Sequence, residues 1–173
     1  MMCGILGQIN FQSNGINIEL FHDSLNLLNH RGPDDQDIYV GENFALGHRR
    51  LSIIDLDAHA KQPMISDCGQ FVLVFNGEIY NYREIRESLV EKGHNFHTSS
   101  DTEVLLNAFI EYGIDCVELF IGMFAFSIFD KNNDEIYIVR DRLGIKPLFY
   151  YQNTNSFTFA SEIKSILRLN QNK

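Results

Sequence analysis

The chain opens MMCGILGQINF (Met1–Phe11), and the reading of this stretch decides what the rest is built around. Apolar residues at Ile5, Leu6 and Ile9, with small glycines between them, predict a β-strand over Gly4–Phe11. A thiol, Cys3, therefore sits immediately before the first strand. Working outward, further apolar runs predict strands at Phe44–Asp55, Gln70–Asn76, Met123–Asp130, Glu135–Arg140 and Phe157–Ala160. Helical spacing fits Ile18–Asn29, Tyr82–Lys92 ending at Gly93, and Thr102–Tyr112 ending at Gly113, both glycines standing where a helix commonly stops. Ser100 with Glu103 forms a capping-box pattern at the head of the third helix. After Ile163 a short helix is expected, then a polar end, Asn170–Lys173. Strands outnumber helices and arrive in blocks rather than in strict βαβ alternation, which predicts an α+β fold of antiparallel sheets covered by helices.

Composition narrows the function classes. The chain has 173 residues, 45% of them hydrophobic, with 14 Phe, 7 Tyr and no Trp, which excludes disorder and suits one self-sufficient aromatic-rich core. We read 1–173 as a single domain. Against 23 acidic residues stand 14 Lys and Arg, a net charge of -9, and no basic stripe gathers to neutralise phosphates. Nucleic acid is not an expected partner. No stretch approaches the roughly 18 apolar residues of a membrane span, and no basic flank with an apolar core marks a secretory signal, so a cytoplasmic protein is expected. Cys3, Cys68 and Cys116 are odd in number and lack CxxC spacing, and the His94–His97 pair stands apart from other ligand types. Neither a disulfide framework nor a metal site is expected.

Four stretches are polar in a way that structure alone does not demand: HRGPDD (His30–Asp35), GHRRLSIID (Gly47–Asp55), FNGEIYN (Phe75–Asn81) and SSDTE (Ser99–Glu103). In FNGEIYN, Asn-Gly is the commonest dipeptide of a tight type I′ hairpin turn. The other reading is that the Asn76 amide and the Gly77 N–H are two donors aimed at one point, which is what an oxyanion hole requires. Asp101 fits the favourable acid of a helix first turn. Arg49 and Arg50 fit solvated charges on a strand, unless one alternates inward as a bidentate carboxylate clamp.

Taken together and in order, MCGI (Met2–Ile5), HRGPDD, GHRRLSIID, NGEIYN, SSDTE, GMFAF (Gly122–Phe126) and RDRLGIKPLFY (Arg140–Tyr150) closely resemble the glutaminase domain of glutamine-dependent asparagine synthetases. That is a class II glutamine amidotransferase domain of the N-terminal-nucleophile hydrolase fold. The resemblance runs from Met2 to about Leu167, and it implies a four-layer αββα sandwich of two antiparallel sheets. One departure is Asp37, where relatives commonly have glycine. Another is that nothing matches the phosphate loop of the ATP-dependent synthetase domain.

The resemblance implies the roles. Cys3 would be the nucleophile once it is the first residue, because its α-amine, with a pKa near 7.7 to 8.0 against roughly 8.5 for the thiol, can take the thiol proton without a histidine. Asn76 and Gly77 would hold the oxyanion. Arg50 would bind the glutamine α-carboxylate and Asp101 the α-ammonium, with Glu78 and the backbone near Leu51 and Ile53 completing the site. No cofactor is implied for glutamine hydrolysis; ATP and magnesium belong to the synthetase domain expected as a partner in a longer parent chain, and a homodimer is left open. Met1 bears on this chemistry: Met2-Cys3 suits methionine removal, Met1-Met2 resists it, and an attached methionine turns the Cys3 amine into an amide. Two other readings stand beside the first. One is the glutaminase of a different amidotransferase, making sugar or cell-envelope precursors; the other is a glutamine- or partner-binding domain inactive because Cys3 is blocked.

Overall fold

A computed structural model describes residues 3–12, 15–51 and 61–171. Its elements are, in order, β1 (Gly4–Asn10), α1 (Ile18–Asn26), β2 (Asp35–Val40), β3 (Phe44–Arg50), β4 (Met64–Ile65), β5 (Phe71–Ile79), α2 (Tyr82–Glu91), α3 (Asp101–Tyr112), a 3-10 segment (Gly113–Leu119), β6 (Gly122–Asp130), β7 (Glu135–Arg140), β8 (Phe149–Gln152), β9 (Ser156–Ala160) and α4 (Ile163–Leu169). Among the described residues the strands form two antiparallel sheets, ordered β2-β3-β1-β9-β8 and β4-β5-β6-β7.

Strand alternation sorts the apolar side chains into three cores and so into four layers. Ile5 and Ile9 of β1 and Phe44 and Leu46 of β3 meet Val72 and Val74 of β5 and Ala125 and Phe129 of β6 between the sheets. The opposite face of β5 and β6, with Leu73, Phe75, Ile79, Phe124 and Phe126, is covered by Ile85 and Leu89 of α2 and by Val104, Leu105 and Phe109 of α3. Leu6, Ala45 and Ala160 on the outer face of the first sheet receive Phe21 and Leu25 of α1 and Ile166 and Leu169 of α4. The expected αββα sandwich is the architecture observed. No helix among the described residues is long and apolar enough to cross a membrane.

The local differences from the sequence reading have physical causes. Asn76-Gly77 lies inside β5, paired with Ala125 and Phe124, so the hairpin-turn reading is wrong. A Cβ at Gly77 would stand 2.5 Å from the Met123 carbonyl oxygen and 2.7 Å from the Phe124 Cα, so this glycine serves the close approach of two strands rather than a turn. The strand expected over Phe44–Asp55 ends at Arg50, and residues 52–60 lie outside the described residues. Strands β2, β4 and β8 went unpredicted: β4 has two residues, and β2 and β8 carry no buried alternating face. Helix α1 stops at Asn26, short of Asn29. At α3, the Ser100 hydroxyl accepts from Glu103 N at 3.3 Å, but Glu103 turns its carboxylate onto the N–H groups of His97 and Thr98 at 2.8 and 2.7 Å, not onto Ser100. The glycine stop is observed at Gly113, which has a positive φ of 61°.

Candidate active site

Cys3 precedes the first paired residue of β1, Gly4, which faces Arg49 of β3. Two residues from the buried Ile5, it occupies the interlayer side of the strand, and its half-buried Sγ accepts from the Leu51 N–H at 3.4 Å. Burial pushes the thiol above its ordinary pKa, while the Leu51 hydrogen bond and the positive charges of Lys146, Arg50 and Arg31 pull the other way. Desolvation wins, and a thiol so placed stays protonated until a base takes its proton. The Arg31 Nε holds the Cys3 carbonyl oxygen at 3.0 Å. Gly32 lets this loop approach β3, since a Cβ there would lie 2.4 Å from the Arg49 carbonyl.

The arginine pair divides its work by alternation. Arg49 faces outward and donates to Asn29 at 3.1 Å and to Asn26, which pins α1 to the sheet. Arg50, like His48 two residues earlier, lies on the interlayer side. His48 is fully enclosed, and its Nε2 donates to the Phe75 carbonyl oxygen at 3.1 Å, which ties β3 to β5 across the sandwich. Burial, with Arg50 adding to it, drives its pKa down to about 4 against the Phe75 hydrogen bond and Asp35, so the ring is neutral. His48 was not singled out in the sequence; its i,i+2 spacing to Arg50 was the available signal.

On β5 the register fixes where each donor points. Phe124 gives its N–H to Asp141 Oδ2 and its carbonyl to the Asp141 N–H, away from β5, so Gly77 opposite it is a non-hydrogen-bonded pair. The N–H groups of Phe75, Gly77 and Ile79 thus leave the same side of the strand. Gln62 Oε1 accepts the first at 2.6 Å and Asp101 Oδ2 accepts the third at 3.0 Å. The Gly77 N–H lies between them, with no side-chain or loop acceptor among the described residues. The Asn76 side chain projects into the interlayer space, 1% exposed, and its Nδ2 is buried with no partner among the described residues. A buried amide left without an acceptor costs about 1–3 kcal/mol, so a folded chain keeps one where something else accepts from it.

Asp101 opens α3, buried behind the end of β5. Burial raises its pKa, aided by the like charge of Glu78, while the N–H groups of Ile79, Thr102 and Asp101 oppose the rise. Its sequence reading as an ordinary helix-start acid is incomplete, because it also closes β5. Cys3, Arg50 and Leu51 thus gather at the end of one sheet, and Asn76, Gly77 and Glu78, with Asp101, at the facing end of the other. Ile53 lies outside the described residues.

The other two cysteines sit apart. Cys116 is enclosed under the helices, its thiol pushed up to about 12 by burial. Cys68 is exposed beside a cavity of about 430 Å³ lined by Met64, His94, His97, Glu103 and Asn107, where His97 pairs with Asp67 and His94 with Asn107 and Glu111. These groups satisfy one another. Among the described residues no cluster of His, Cys, Asp and Glu has the arrangement of a metal site.

Residues 2–173 match the family described as "Glutamine amidotransferase domain". The chain belongs to that family. It is 39% identical over 169 residues to asparagine synthetase [glutamine-hydrolyzing] 3 of Bacillus subtilis (strain 168), covering 96% of this chain and 27% of that protein. Asparagine synthetase [glutamine-hydrolyzing] 2 of the same organism is 42% identical, covering 95% of this chain and 22% of the relative. Asparagine synthetase B [glutamine-hydrolyzing] of Escherichia coli (strain K12) is 38% identical, at 96% and 30%. The amidotransferase domain thus corresponds to the glutaminase part of these enzymes and spans about a quarter of their length. The solved glutamine phosphoribosylpyrophosphate amidotransferase from B. subtilis superimposes with a TM-score of 0.82 at 22% identity, over 97% of this chain and 44% of that one, which supports the N-terminal-nucleophile fold.

Proposed function

We propose that this domain hydrolyses the side-chain amide of glutamine to glutamate and ammonia, with Cys3 as nucleophile, and that it feeds ammonia to asparagine synthesis in a longer protein. The observation that carries the reading is the buried Asn76 Nδ2, without a partner among the described residues, beside the Gly77 N–H on the layer facing Cys3. With Cys3 as first residue, its α-amine takes the thiol proton and Sγ attacks the amide carbon. The oxyanion of the tetrahedral adduct accepts from Asn76 Nδ2 and Gly77 N. The ammonium formed at the α-amine returns the proton to the leaving nitrogen, the C–N bond breaks, and ammonia departs from a γ-glutamyl thioester. Water, deprotonated by the same amine, then releases glutamate and restores the thiol.

The remaining side chains read the zwitterion. Arg50 takes the α-carboxylate and Asp101 the α-ammonium, with Glu78 and the Leu51 backbone completing the site. No cofactor enters these steps; ATP and magnesium would act only in a synthetase domain. The test is glutamate release by the form that begins at Cys3. Cys3→Ala should abolish it, and Asn76→Ala should lower kcat about 10² to 10³-fold while KM changes little. Turnover by Cys3→Ala above about one percent, or an unchanged kcat in Asn76→Ala, overturns the reading.

A further inference from the structure

The start of β1 is unevenly supported. On the β3 side its pairing begins at Gly4, but on the β9 side it begins only at Leu6, opposite Ala160, because β9 ends there. Residues 3–5 therefore have no strand along that edge, and the corner that follows β9 stands in for one. Ser161 donates its N–H to the Ile5 carbonyl at 2.9 Å and accepts the Ile5 N–H on its hydroxyl at 3.0 Å. The next residue, Glu162, accepts from Arg31 Nη1 at 3.2 Å, and Arg31 Nε in turn holds the Cys3 carbonyl at 3.0 Å.

Glu162 serves three donors. Its Oε1 takes His30 Nε2 at 2.8 Å as well as Arg31, and its Oε2 takes Lys164 at 3.0 Å. The carboxyl is held down to about 2: burial raises it, and hydrogen bonds from Lys164, His30 and Arg31 more than reverse that. His30 and Lys164 are about half exposed, at 54% and 47%, so these two pairs are screened by water. The Arg31 side chain is only 10% exposed, and one of its terminal nitrogens, Nη2, is buried with no partner among the described residues. Without Glu162, this enclosed guanidinium would lose its counter-charge and the contact that sets its orientation toward the Cys3 carbonyl.

We propose that Glu162 is a positioning residue for the nucleophile: it fixes the Arg31 guanidinium, which fixes the Cys3 carbonyl and with it the direction of Sγ. The proposal rests on the reading of Cys3 as nucleophile. Glu162 touches neither substrate nor reacting atoms. Its effect belongs on the rate of attack and not on glutamine binding, which Arg50 and Asp101 govern from other elements. A nucleophile displaced by about 1 Å loses roughly 100-fold in rate.

Glu162→Ala and Glu162→Gln, in the form beginning at Cys3, test it through kcat and KM for glutamine hydrolysis, alongside Cys3→Ala and a thermal melt. The Ala variant should lose about 100-fold in kcat with KM within about twofold, and Gln, which keeps an oxygen for Arg31 without the charge, should lose less. If Ala does not fold, Gln alone decides, with a fall in kcat at constant KM as the expected result. An unchanged kcat, or a loss that appears in KM alone, overturns the proposal. Failure of the nucleophile reading is separate: it shows as residual turnover in Cys3→Ala.

Discussion

At the scale of single residues, burial does most of the chemical tuning. His48 shows the sign of the effect. Its ordinary pKa is 6.5, and in the folded chain it is about 4 because its ring is enclosed against Phe75 and Arg50 adds repulsion. Above pH 6.5 the ring is neutral folded or unfolded and contributes no pH dependence. Between 6.5 and 4 the unfolded chain binds a proton that the folded chain refuses, so stability falls as pH falls, by up to about 1.4 kcal/mol per pH unit and about 3 kcal/mol in all. Below about 4 both states are protonated and the loss is complete. His48→Gln keeps an N–H for the Phe75 carbonyl without titrating. Denaturant unfolding at pH values from 7 to 4 should give a shallower slope for this variant than for the parent chain; parallel slopes would show that another group sets the acid limit. Cys3 is tuned the other way, since desolvation holds its proton in place despite three nearby cations, which is why the proposed mechanism puts a base at the same residue.

At the scale of elements, the sequence was legible where a periodicity had one face to bury and illegible where a backbone group carried the argument. The helices α2 and α3 and the strands β1, β6 and β7 follow their apolar spacing closely, since each lays a face on a core. Among the site residues, Arg50 emerges as the inward arginine from the same alternation that turns Arg49 onto α1. The hairpin-turn reading of Asn76-Gly77 fails because turn propensity is a property of a dipeptide, whereas strand pairing with Ala125 and Phe124 comes from residues some fifty positions away, which no local window contains. Glu162 was invisible for the same reason: its partners His30 and Arg31 are distant in the chain. Gly77 tests the element-scale reading. Gly77→Ala retains the N–H offered to an oxyanion but drives a methyl into the β6 backbone at Met123 and Phe124. The expected outcome is overpacking, a loss of about 1–3 kcal/mol, with the melting temperature falling roughly 2–4 °C for each kcal/mol. An Ala variant that melts with the parent chain would mean that the strands can part there freely, and the register argument for the Gly77 donor would lapse with it.

At the scale of the whole molecule, the two sheets of the described residues enclose one core between them and each outer face carries its own helices. Its relatives named as asparagine synthetases are several times longer, the matched part being 22% to 30% of them. The division of labour that follows is chemical. Releasing ammonia from glutamine is a hydrolysis that needs a nucleophile, a base and an oxyanion site, whereas making an amide from a carboxylate needs that carboxylate activated first. On the function proposed above, Cys3, Asn76 and Gly77 serve the first task, and the second is assigned to a synthetase domain. We therefore expect the form that begins at Cys3 to release glutamate and free ammonia in equal amounts, at a rate that ATP, magnesium and aspartate leave unchanged, and to form no asparagine when all three are present. The check is a coupled assay in which glutamate, ammonia and asparagine are quantified together from one reaction. Ammonia equal to glutamate supports a self-contained glutaminase that delivers its product to solvent; ATP-dependent asparagine from these residues alone would overturn that division.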